Sequence, residues 1–158
     1  DQRNIHAKRL AQVVAHGDVK TGDGRDIGKL GRTFGAILAD VPCTGLGALR
    51  RRPEVRWRRT SHDLSGLAIL QRELLDASLS VLAPGGYLAY VTCSPHLAET
   101  RVVIKDALKR NPTLEIVNLD SYLPQRLTDA TNSIGLQLWP HRHKTDAMFM
   151  SVLRKPVG

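Results

Sequence analysis

The chain has 158 residues, a formal net charge of +8 and a sequence pI of about 10.0. This length allows one hydrophobic core and is short for two, so we predict a single domain over residues 1–158. No apolar run reaches the roughly 18 residues of a membrane span, and no secretory signal opens the chain, which predicts a cytoplasmic protein with reduced thiols. The excess of positive charge favours a polyanionic partner such as nucleic acid.

The predicted elements alternate between helices and strands. The apolar pattern predicts helices over 5–15, 63–82 and 95–110, and strands over 19–21, 34–39, 87–92, 114–117, 137–139 and 148–153. A very basic loop covers 44–60, and Pro84-Gly85-Gly86 separates the long helix from the next strand. This alternation is typical of an α/β fold with a mostly parallel sheet. The last two strands have no helix between them, which predicts an antiparallel C-terminal hairpin at one edge.

Both cysteines of the chain follow a predicted buried strand. Cys43 closes the string Asp40-Val41-Pro42-Cys43, and Cys93 lies in Thr92-Cys93-Ser94. Ligands of an open α/β sheet bind beyond the carboxyl ends of its strands, so neighbouring strands would direct both thiols into one cleft. The alternative is that both thiols are small buried hydrophobes. Their shared position at strand ends favours paired-cysteine chemistry on a bound substrate.

Each residue near these strand ends suggests a separate role. Ser94-Pro95 reads as the start of a helix, whose dipole would lower the pKa of the Cys93 thiol and suit it as a nucleophile. Pro42 keeps its loop extended and directs Cys43 outward. Asp40 is placed to orient a cation or an amine of a ligand, with an ordinary loop cap as the alternative.

Two further readings of the titratable residues are weaker. His141 and His143 could join the cysteines around zinc, but the spacing of metal ligands is missing, so we predict no metal. A Cys/His hydrolase with His96 or His141 as the base is a third class of function, and neither histidine has a feature that places it beside a thiol.

Arginines dominate the basic loop. Six of them, with Trp57 among them, lie between positions 50 and 59: Arg50, Arg51, Arg52, Arg56, Arg58 and Arg59. Such a run is usually a solvated face. Guanidinium groups bind phosphates in bidentate fashion, and the run adjoins the Cys43 loop, so we favour a clamp for a nucleic-acid backbone.

The motifs, in their order and spacing, resemble the Sun (Fmu) type of S-adenosylmethionine-dependent RNA cytosine-C5 methyltransferase. The strings that carry the resemblance are Gly22-Asp23-Gly24-Arg25, Asp40-Val41-Pro42-Cys43-Thr44-Gly45, Arg51-Arg52-Pro53-Glu54 with Arg56-Trp57, Leu70-Gln71-Arg72-Glu73-Leu74-Leu75, Pro84-Gly85-Gly86, Thr92-Cys93-Ser94 with Glu99, and Trp139-Pro140-His141 with Thr145-Asp146. The resemblance implies a Rossmann-like class I methyltransferase sheet, S-adenosylmethionine as cofactor, and RNA as substrate. Bacterial members of this family modify small-subunit ribosomal RNA.

The resemblance also implies roles for individual residues. Cys93 would be the nucleophile that adds to C6 of cytosine, and Cys43 would assist release of the product. Asp23 would bind the adenine amine of the cofactor. Asp40 and Pro42 would line the methionine end of the cofactor and the target base.

The sequence departs from the family pattern in two places. The Gly-rich cofactor loop and the strands around it are missing, and the position at which the family has an acid for the cofactor ribose falls on Asp1 or on Asn4. Near the C-terminus, Asp146-Ala147-Met148-Phe149 replaces the usual Asp-Gly-Phe-Phe. We therefore expect the C-terminal part of a catalytic domain, with unpaired strand edges where the missing strands would lie. The alternative is a non-catalytic RNA-binding fragment, or a degenerate methyltransferase relative without a working cofactor site.

Overall fold

The computed structural model describes residues 17–58 and 60–158, except for the side chains of residues 58, 61 and 62. The predicted helix over 5–15 lies outside the described residues. So do the two candidates for the ribose-binding acid, Asp1 and Asn4, and one arginine of the predicted clamp, Arg59. The backbone of Arg58 is described and its side chain is not.

The described residues contain four α-helices and six strands. The α-helices are α1 (Val55–Arg58), α2 (Ser61–Ser80), α3 (Arg101–Arg110) and α4 (Pro140–His143). The strands are β1 (Phe34–Asp40), β2 (Leu82–Thr92), β3 (Glu115–Ile116), β4 (Thr131–Asn132), β5 (Gly135–Gln137) and β6 (Phe149–Arg154). Short 3-10 helices cover Gly24–Leu30, Leu46–Ala48, Leu97–Glu99, Asp120–Tyr122 and Gln125–Ala130. None of the helices described is long and apolar enough to cross a membrane.

The strands form one mixed sheet in the order β1-β2-β6-β5-β4, with β3 paired to the same edge of β6 as β5. Only β1 and β2 pair in parallel, and the four other pairings are antiparallel. The prediction of a mostly parallel sheet is therefore wrong for the described residues. The antiparallel pairing of the last two strands is confirmed. It does not lie at an edge, because β6 inserts between β2 and β5 and reverses the chain direction there.

Several element boundaries differ from the prediction. Thr60, not Asp63, caps α2: the Thr60 hydroxyl accepts from the Asp63 N–H, and the Asp63 carboxylate accepts from the Thr60 N–H at 2.8 Å. Residues 84–86 lie inside β2 and do not separate two elements. The predicted strand over 19–21 is absent, and those residues lead into the 3-10 helix Gly24–Leu30.

The main core lies between one face of the sheet and the two longer helices. Its fully buried side chains include Leu75 of α2, Ile104 of α3, Leu88 and Tyr90 of β2, and Phe149 of β6. A smaller cluster around Leu119, Ala130 and Leu136 covers the other face of β5 and β6. The helices therefore fix β2 and β6 from one side, and the loops between β3 and β5 cover part of the other.

β1 is not the buried strand that its sequence predicts. Leu38 in its centre is 70% exposed, and β1 pairs with β2 alone among the described strands. The helices cover the face that carries Ile37 and Ala39, which pack against the main core. The apolar run predicts a buried strand, whereas one face of β1 lies open here.

Replacing a buried leucine of α2 tests this assignment of the core. We expect Leu75→Ala to lower the free energy of unfolding by about 2–5 kcal/mol, because it leaves a cavity beneath the sheet. Ile69→Ala, at a position of the same helix that is 60% exposed, is the matched control and should change it by less than about 0.5 kcal/mol. Urea denaturation followed by circular dichroism measures both. Equal losses in the two variants would contradict the assigned helix orientation.

Candidate active site

The two cysteines lie where neighbouring strands end. β1 and β2 pair with Asp40 opposite Val91, and the Val41 N–H donates to the Val91 carbonyl at 3.0 Å, so both chains leave the sheet together. The sulfur atoms of Cys43 and Cys93 are 3.3 Å apart, and both residues are half-buried. The prediction that the ends of neighbouring strands bring the two thiols together is therefore confirmed.

The short contact makes the two thiols share a proton. The hydrogen bond from Cys93 lowers the pKa of Cys43 to about 6, and the contact with Cys43, together with burial, raises the pKa of Cys93. One sulfur is stabilised as a thiolate by the S–H of the other, whereas two thiolates 3.3 Å apart would repel each other. Near neutral pH the pair therefore holds one proton and one negative charge.

Cys93 does not lie at the start of a helix, contrary to the prediction. α3 begins only at Arg101, and Ser94 is not its cap. The Ser94 hydroxyl donates to the Glu99 carboxylate at 2.5 Å and accepts from the His96 N–H at 3.1 Å. The ionisation of Cys93 therefore depends on the neighbouring sulfur and not on a helix dipole.

A buried carboxylate, that of Glu99, contacts both cysteine loops, and the sequence analysis gave this residue no role. Its side chain is 0% exposed, and its carboxylate accepts four hydrogen bonds. The donors are the Thr44 N–H at 2.8 Å, the Thr44 hydroxyl at 2.6 Å, the Ser94 hydroxyl at 2.5 Å and the Gln71 amide at 3.1 Å. The signal that could have identified it is a hydroxyl residue directly after each cysteine, with an acid close behind the second one.

Gly47 connects the Cys93 loop to the loop before β6. Its N–H donates to the Cys93 carbonyl at 2.9 Å, and its carbonyl accepts from the Ala147 N–H at 2.9 Å. A Cβ atom at position 47 would lie 2.0 Å from the Ala147 carbonyl oxygen and 2.7 Å from that of Cys93. Only glycine fits between these two backbones, so three loops pack as one layer beside the thiols.

Two arginines of the predicted clamp face an acid of this layer. Arg51 donates through Nε to the buried Asp146 carboxylate at 2.8 Å and also contacts it through Nη2, which holds the pKa of Asp146 below its usual range. Arg50 approaches the other oxygen of the same carboxylate at 3.9 Å. Arg51 therefore fastens its loop to the residue before Ala147.

The remaining described residues of the run face solvent. Arg52 and Arg56 are exposed, and Trp57 on α1 is 84% exposed. Trp139, the other tryptophan, is half-buried, with its ring 6.2 Å from that of His141. The arginine run thus presents cationic groups and one large aromatic ring on the same surface.

Asp23, the residue implied to bind adenine, caps the 3-10 helix Gly24–Leu30. Its carboxylate accepts from the Arg25 N–H at 2.9 Å and from the Arg25 guanidinium at 2.7 Å, and it lines a surface groove of about 320 Å³. Arg25 also contacts Glu73 at 2.8 Å. Exposed ion pairs of this kind cost little to open, so the Asp23 carboxylate can still accept a hydrogen bond from an amine.

Asp40 and Pro42 follow one another closely at the end of β1, on the same side as the thiols. Both are exposed, and the Pro42 carbonyl accepts a hydrogen bond from the Gln71 amide at 2.8 Å. After the Cys43 contact and burial, the negative charge of Asp40 contributes to the raised pKa of Cys93. The structure thus places Asp40 near the thiol pair, whereas Asp23 lies in a separate groove.

The histidines considered for metal or hydrolytic chemistry make other contacts. His96 accepts the Ala98 N–H through Nδ1 at 3.2 Å, and His143 accepts the Trp139 N–H through Nδ1 at 2.8 Å. In the part of the chain that the structure describes, no group of three or more His, Cys, Asp or Glu side chains could hold a metal ion. These contacts give no support to a Cys/His hydrolase.

Comparisons with known sequences point to one family. A family profile described as 16S rRNA methyltransferase RsmB/F matches residues 2–154. A protein of Mycobacterium tuberculosis (strain H37Rv), provisionally named a methyltransferase, is 52% identical over 122 residues, covering 77% of this chain and 26% of the relative. Ribosomal RNA small subunit methyltransferase B of Shewanella oneidensis is 36% identical over 154 residues, covering 98% of this chain and 34% of the relative. The chain thus spans about a quarter to a third of the length of these relatives.

A solved structure gives the same result for the fold. The crystal structure of NSun6 from Pyrococcus horikoshii with SFG matches with a TM-score of 0.76 and 28% sequence identity, covering 96% of this chain and 37% of that one. The mixed sheet therefore resembles the class I methyltransferase fold of the solved relatives. The resemblance predicted from the motifs is confirmed, and the chain belongs to the RsmB/F (Sun) family of rRNA cytosine-C5 methyltransferases.

Proposed function

We propose that this chain is the catalytic portion of an enzyme that transfers a methyl group from S-adenosylmethionine to C5 of a cytosine in RNA, with small-subunit ribosomal RNA as the substrate class. The observation that carries the proposal is the thiol pair, two sulfur atoms 3.3 Å apart at the ends of adjacent parallel strands. The substrate class is supported by the names of relatives from Vibrio cholerae and Shewanella oneidensis, ribosomal RNA small subunit methyltransferase B.

Two thiols suit this reaction because cytosine C5 is a poor nucleophile on its own. Addition of a thiolate to C6 breaks the conjugation of the ring and makes C5 enamine-like, so that C5 can attack a methyl group. S-adenosylmethionine supplies that electrophilic methyl group when it is bound. The C5 proton must then leave and the C6–S bond must break, which requires a second group for proton transfer.

The shared proton lets each sulfur take one of these roles. Cys93 passes its proton to the Cys43 thiolate and forms the bond to C6 with its own electron pair. Once Cys93 is bonded to carbon, Cys43 no longer faces a second thiolate, so the pKa of its thiol falls back to the ordinary range of about 8.5, from which the proton leaves to solvent. The Cys43 thiolate then accepts the C5 proton while the C6–S bond breaks and the Cys93 thiolate departs. One proton is released for each methyl group transferred.

We assign binding of the cofactor and of the target base to exposed residues at two places, the groove of Asp23 and the end of β1. Asp23 would hold the adenine amine, and Asp40 and Pro42 would line the methionine end of the cofactor and the target base. The exposure of both side chains supports these roles, and for Asp23 the amine would replace part of an exposed ion pair with Arg25 that costs little to open. The thiols are half-buried, so the target base must be unpaired or flipped out of a helix to reach them.

The RNA backbone is assigned to the exposed members of the arginine run. Arg52, Arg56 and, through its partly free guanidinium, Arg50 would bind phosphates, and Arg58 and Arg59 complete the same run in the sequence. Their position on the loop that follows Cys43 supports this assignment, because a phosphate bound there would be held by the same segment that carries one of the thiols. Arg51 is assigned a different task, the ion pair with Asp146.

The roles of the two thiols can be separated by single substitutions in the full-length protein. We expect Cys93→Ala to abolish methyl transfer, because the sulfur that bonds to C6 is gone. Cys43→Ser should still form that bond and accumulate a protein–RNA adduct that survives SDS, because release is blocked. Methyl incorporation and denaturing gels measure the two outcomes, with the double variant as the control without adduct. Methyl transfer by Cys93→Ala would contradict the role of Cys93 as the nucleophile. An active Cys43→Ser variant that forms no adduct would contradict the role of Cys43 in product release. An inactive wild type would favour the alternative of a non-catalytic RNA-binding protein.

The shared proton predicts a pH dependence of thiol alkylation. Below pH 6 both sulfurs are protonated, and above it one thiolate is present, so iodoacetamide should react with Cys43 with an inflection near pH 6. In Cys93→Ala the hydrogen-bond donor is missing, and the inflection should rise toward the ordinary thiol value of about 8.5. Site-resolved mass spectrometry over pH 5–10 measures the rates. An inflection that stays near 6 in the variant would show that the neighbouring sulfur is not its cause.

The arginine assignment predicts different effects for neighbouring residues on RNA binding. Arg52→Gln and Arg56→Gln should each weaken binding and reduce the slope of log K against log salt concentration by about 1, as expected for one lost phosphate contact. Arg72→Gln, which removes the same charge from the ion pairs with Asp76 and Asp106, is the matched control and should leave the slope unchanged. Filter binding over a salt series measures this. Equal slopes in all three variants would show that the arginine run is an ordinary solvated surface.

A further inference from the structure

The carboxylate of Glu99 lies directly beneath the two cysteine loops and contacts both. Thr44 follows Cys43 and Ser94 follows Cys93, and both hydroxyls donate to the same carboxylate oxygen, Oε2, at 2.6 and 2.5 Å. One oxygen atom thus spans the gap between the two loops. The backbone positions that carry the sulfur atoms are each one residue away from this contact.

We propose that Glu99 is a positioning residue, which sets the separation of the Cys43 and Cys93 sulfur atoms by tying their loops to one buried carboxylate. The proposal rests on the proposed function, since the separation matters for methyl transfer. It assigns to Glu99 no contact with the cofactor or the RNA. Its effect passes through the backbone of Thr44 and Ser94 to the thiols.

A second set of contacts anchors the carboxylate to the regular structure. Oε1 of Glu99 accepts from the Thr44 N–H at 2.8 Å and from the Gln71 amide of α2 at 3.1 Å. The Glu99 carbonyl accepts from the hydroxyl of Tyr90, a buried residue of β2, at 2.9 Å. Gln71 also donates to the carbonyl of Pro42, next to Cys43. The carboxylate is therefore held by a helix and a strand of the core, so it can serve as a fixed reference for both loops.

The chemistry of the site favours a carboxylate over any other side chain. All four donors are neutral, and an ionised carboxylate has two oxygens with about four acceptor positions and no hydrogen to donate. A glutamine of the same length has one acceptor oxygen, so its NH₂ group would face either the two hydroxyls on one side or the Thr44 N–H and the Gln71 amide on the other, and those hydrogen bonds to residue 99 are lost. An aspartate is one methylene shorter and cannot reach both loops. The network of four bonds to a buried charge therefore makes the positions of the two loops interdependent.

The test compares Glu99→Gln with Glu115→Gln in the full-length protein. Glu115 lies exposed on β3 and pairs with Arg154 at 3.3 Å, so its substitution removes the same charge far from the thiols. In Glu99→Gln the sulfur atoms move apart and the hydrogen bond from Cys93, the largest cause of the low pKa of Cys43, weakens, so the pH inflection of Cys43 alkylation should rise from about 6 toward the ordinary range. The loss of the Glu99 charge acts in the opposite direction and is the smaller effect. The kcat for methyl transfer should fall on the order of 100-fold with little change in KM, as expected for a displacement near 1 Å. Glu115→Gln should match the wild type in both measurements.

Two variants of Thr44 keep the test decisive if Glu99→Gln fails to fold. Thr44→Val has the same shape without the hydroxyl and should shift the alkylation inflection upward, and Thr44→Ser, which returns the hydroxyl, should recover most of that shift. A folded Glu99→Gln with wild-type inflection and kcat, or equal inflections in the two Thr44 variants, would overturn the proposal. The alkylation measurement needs neither RNA nor methyl donor. A wild type without methyl transfer but with a shifted Glu99→Gln inflection would therefore refute the proposed function alone.

Discussion

The parallel pairing of β1 with β2 is the constraint on which the candidate site depends. Because both strands end at the same edge of the sheet, with Asp40 opposite Val91, the loops that follow leave side by side. Each loop carries a cysteine and then a hydroxyl residue, so the sulfur atoms meet above and the hydroxyls meet one carboxylate below. The helix that connects the two strands, α2, supplies Gln71 to the same contact. The crossover that makes the strands parallel thus also supports the site that they create.

Within the arginine run, one residue makes structural contacts, whereas its neighbours are exposed and are proposed to bind RNA. Gly47 lets the Cys93 loop and the loop before β6 pack closely on either side of it. The ion pair of Arg51 with Asp146 adds a second link between the arginine loop and the loop before β6. Arg51 therefore holds its loop against the loop before β6, whereas Arg52 and Arg56 are exposed to solvent. A single run of like residues in the sequence can serve two purposes because the loop turns between them.

Sequence reasoning located the thiol pair but not what holds it. The apolar runs before Cys43 and Cys93 identify two strands, and their parallel pairing follows from the intervening helix, so the meeting of the thiols was predictable. The insertion of β6 was not, because antiparallel pairing with β2 is a contact between distant parts of the chain. The role of Glu99 was missed for the same reason, since its partners come from three separate segments. The prediction of a helix that starts at Pro95 was wrong, because local propensity does not report the buried hydrogen bond between Ser94 and Glu99.

The distribution of charge around the thiols suits a reaction between a cation and a polyanion. The chain carries a net charge of +8, yet two acids act on the thiols: after the hydrogen bonds and burial, the charge of Glu99 raises the pKa of Cys43 and that of Asp40 raises the pKa of Cys93. A negative interior attracts the positively charged sulfonium of the proposed methyl donor, and the arginines outside attract the phosphates of RNA. The same acids add to the repulsion between two thiolates, and the pair therefore keeps one proton near neutral pH. Excess positive charge on the surface and local negative charge in the cleft are thus two parts of one electrostatic arrangement.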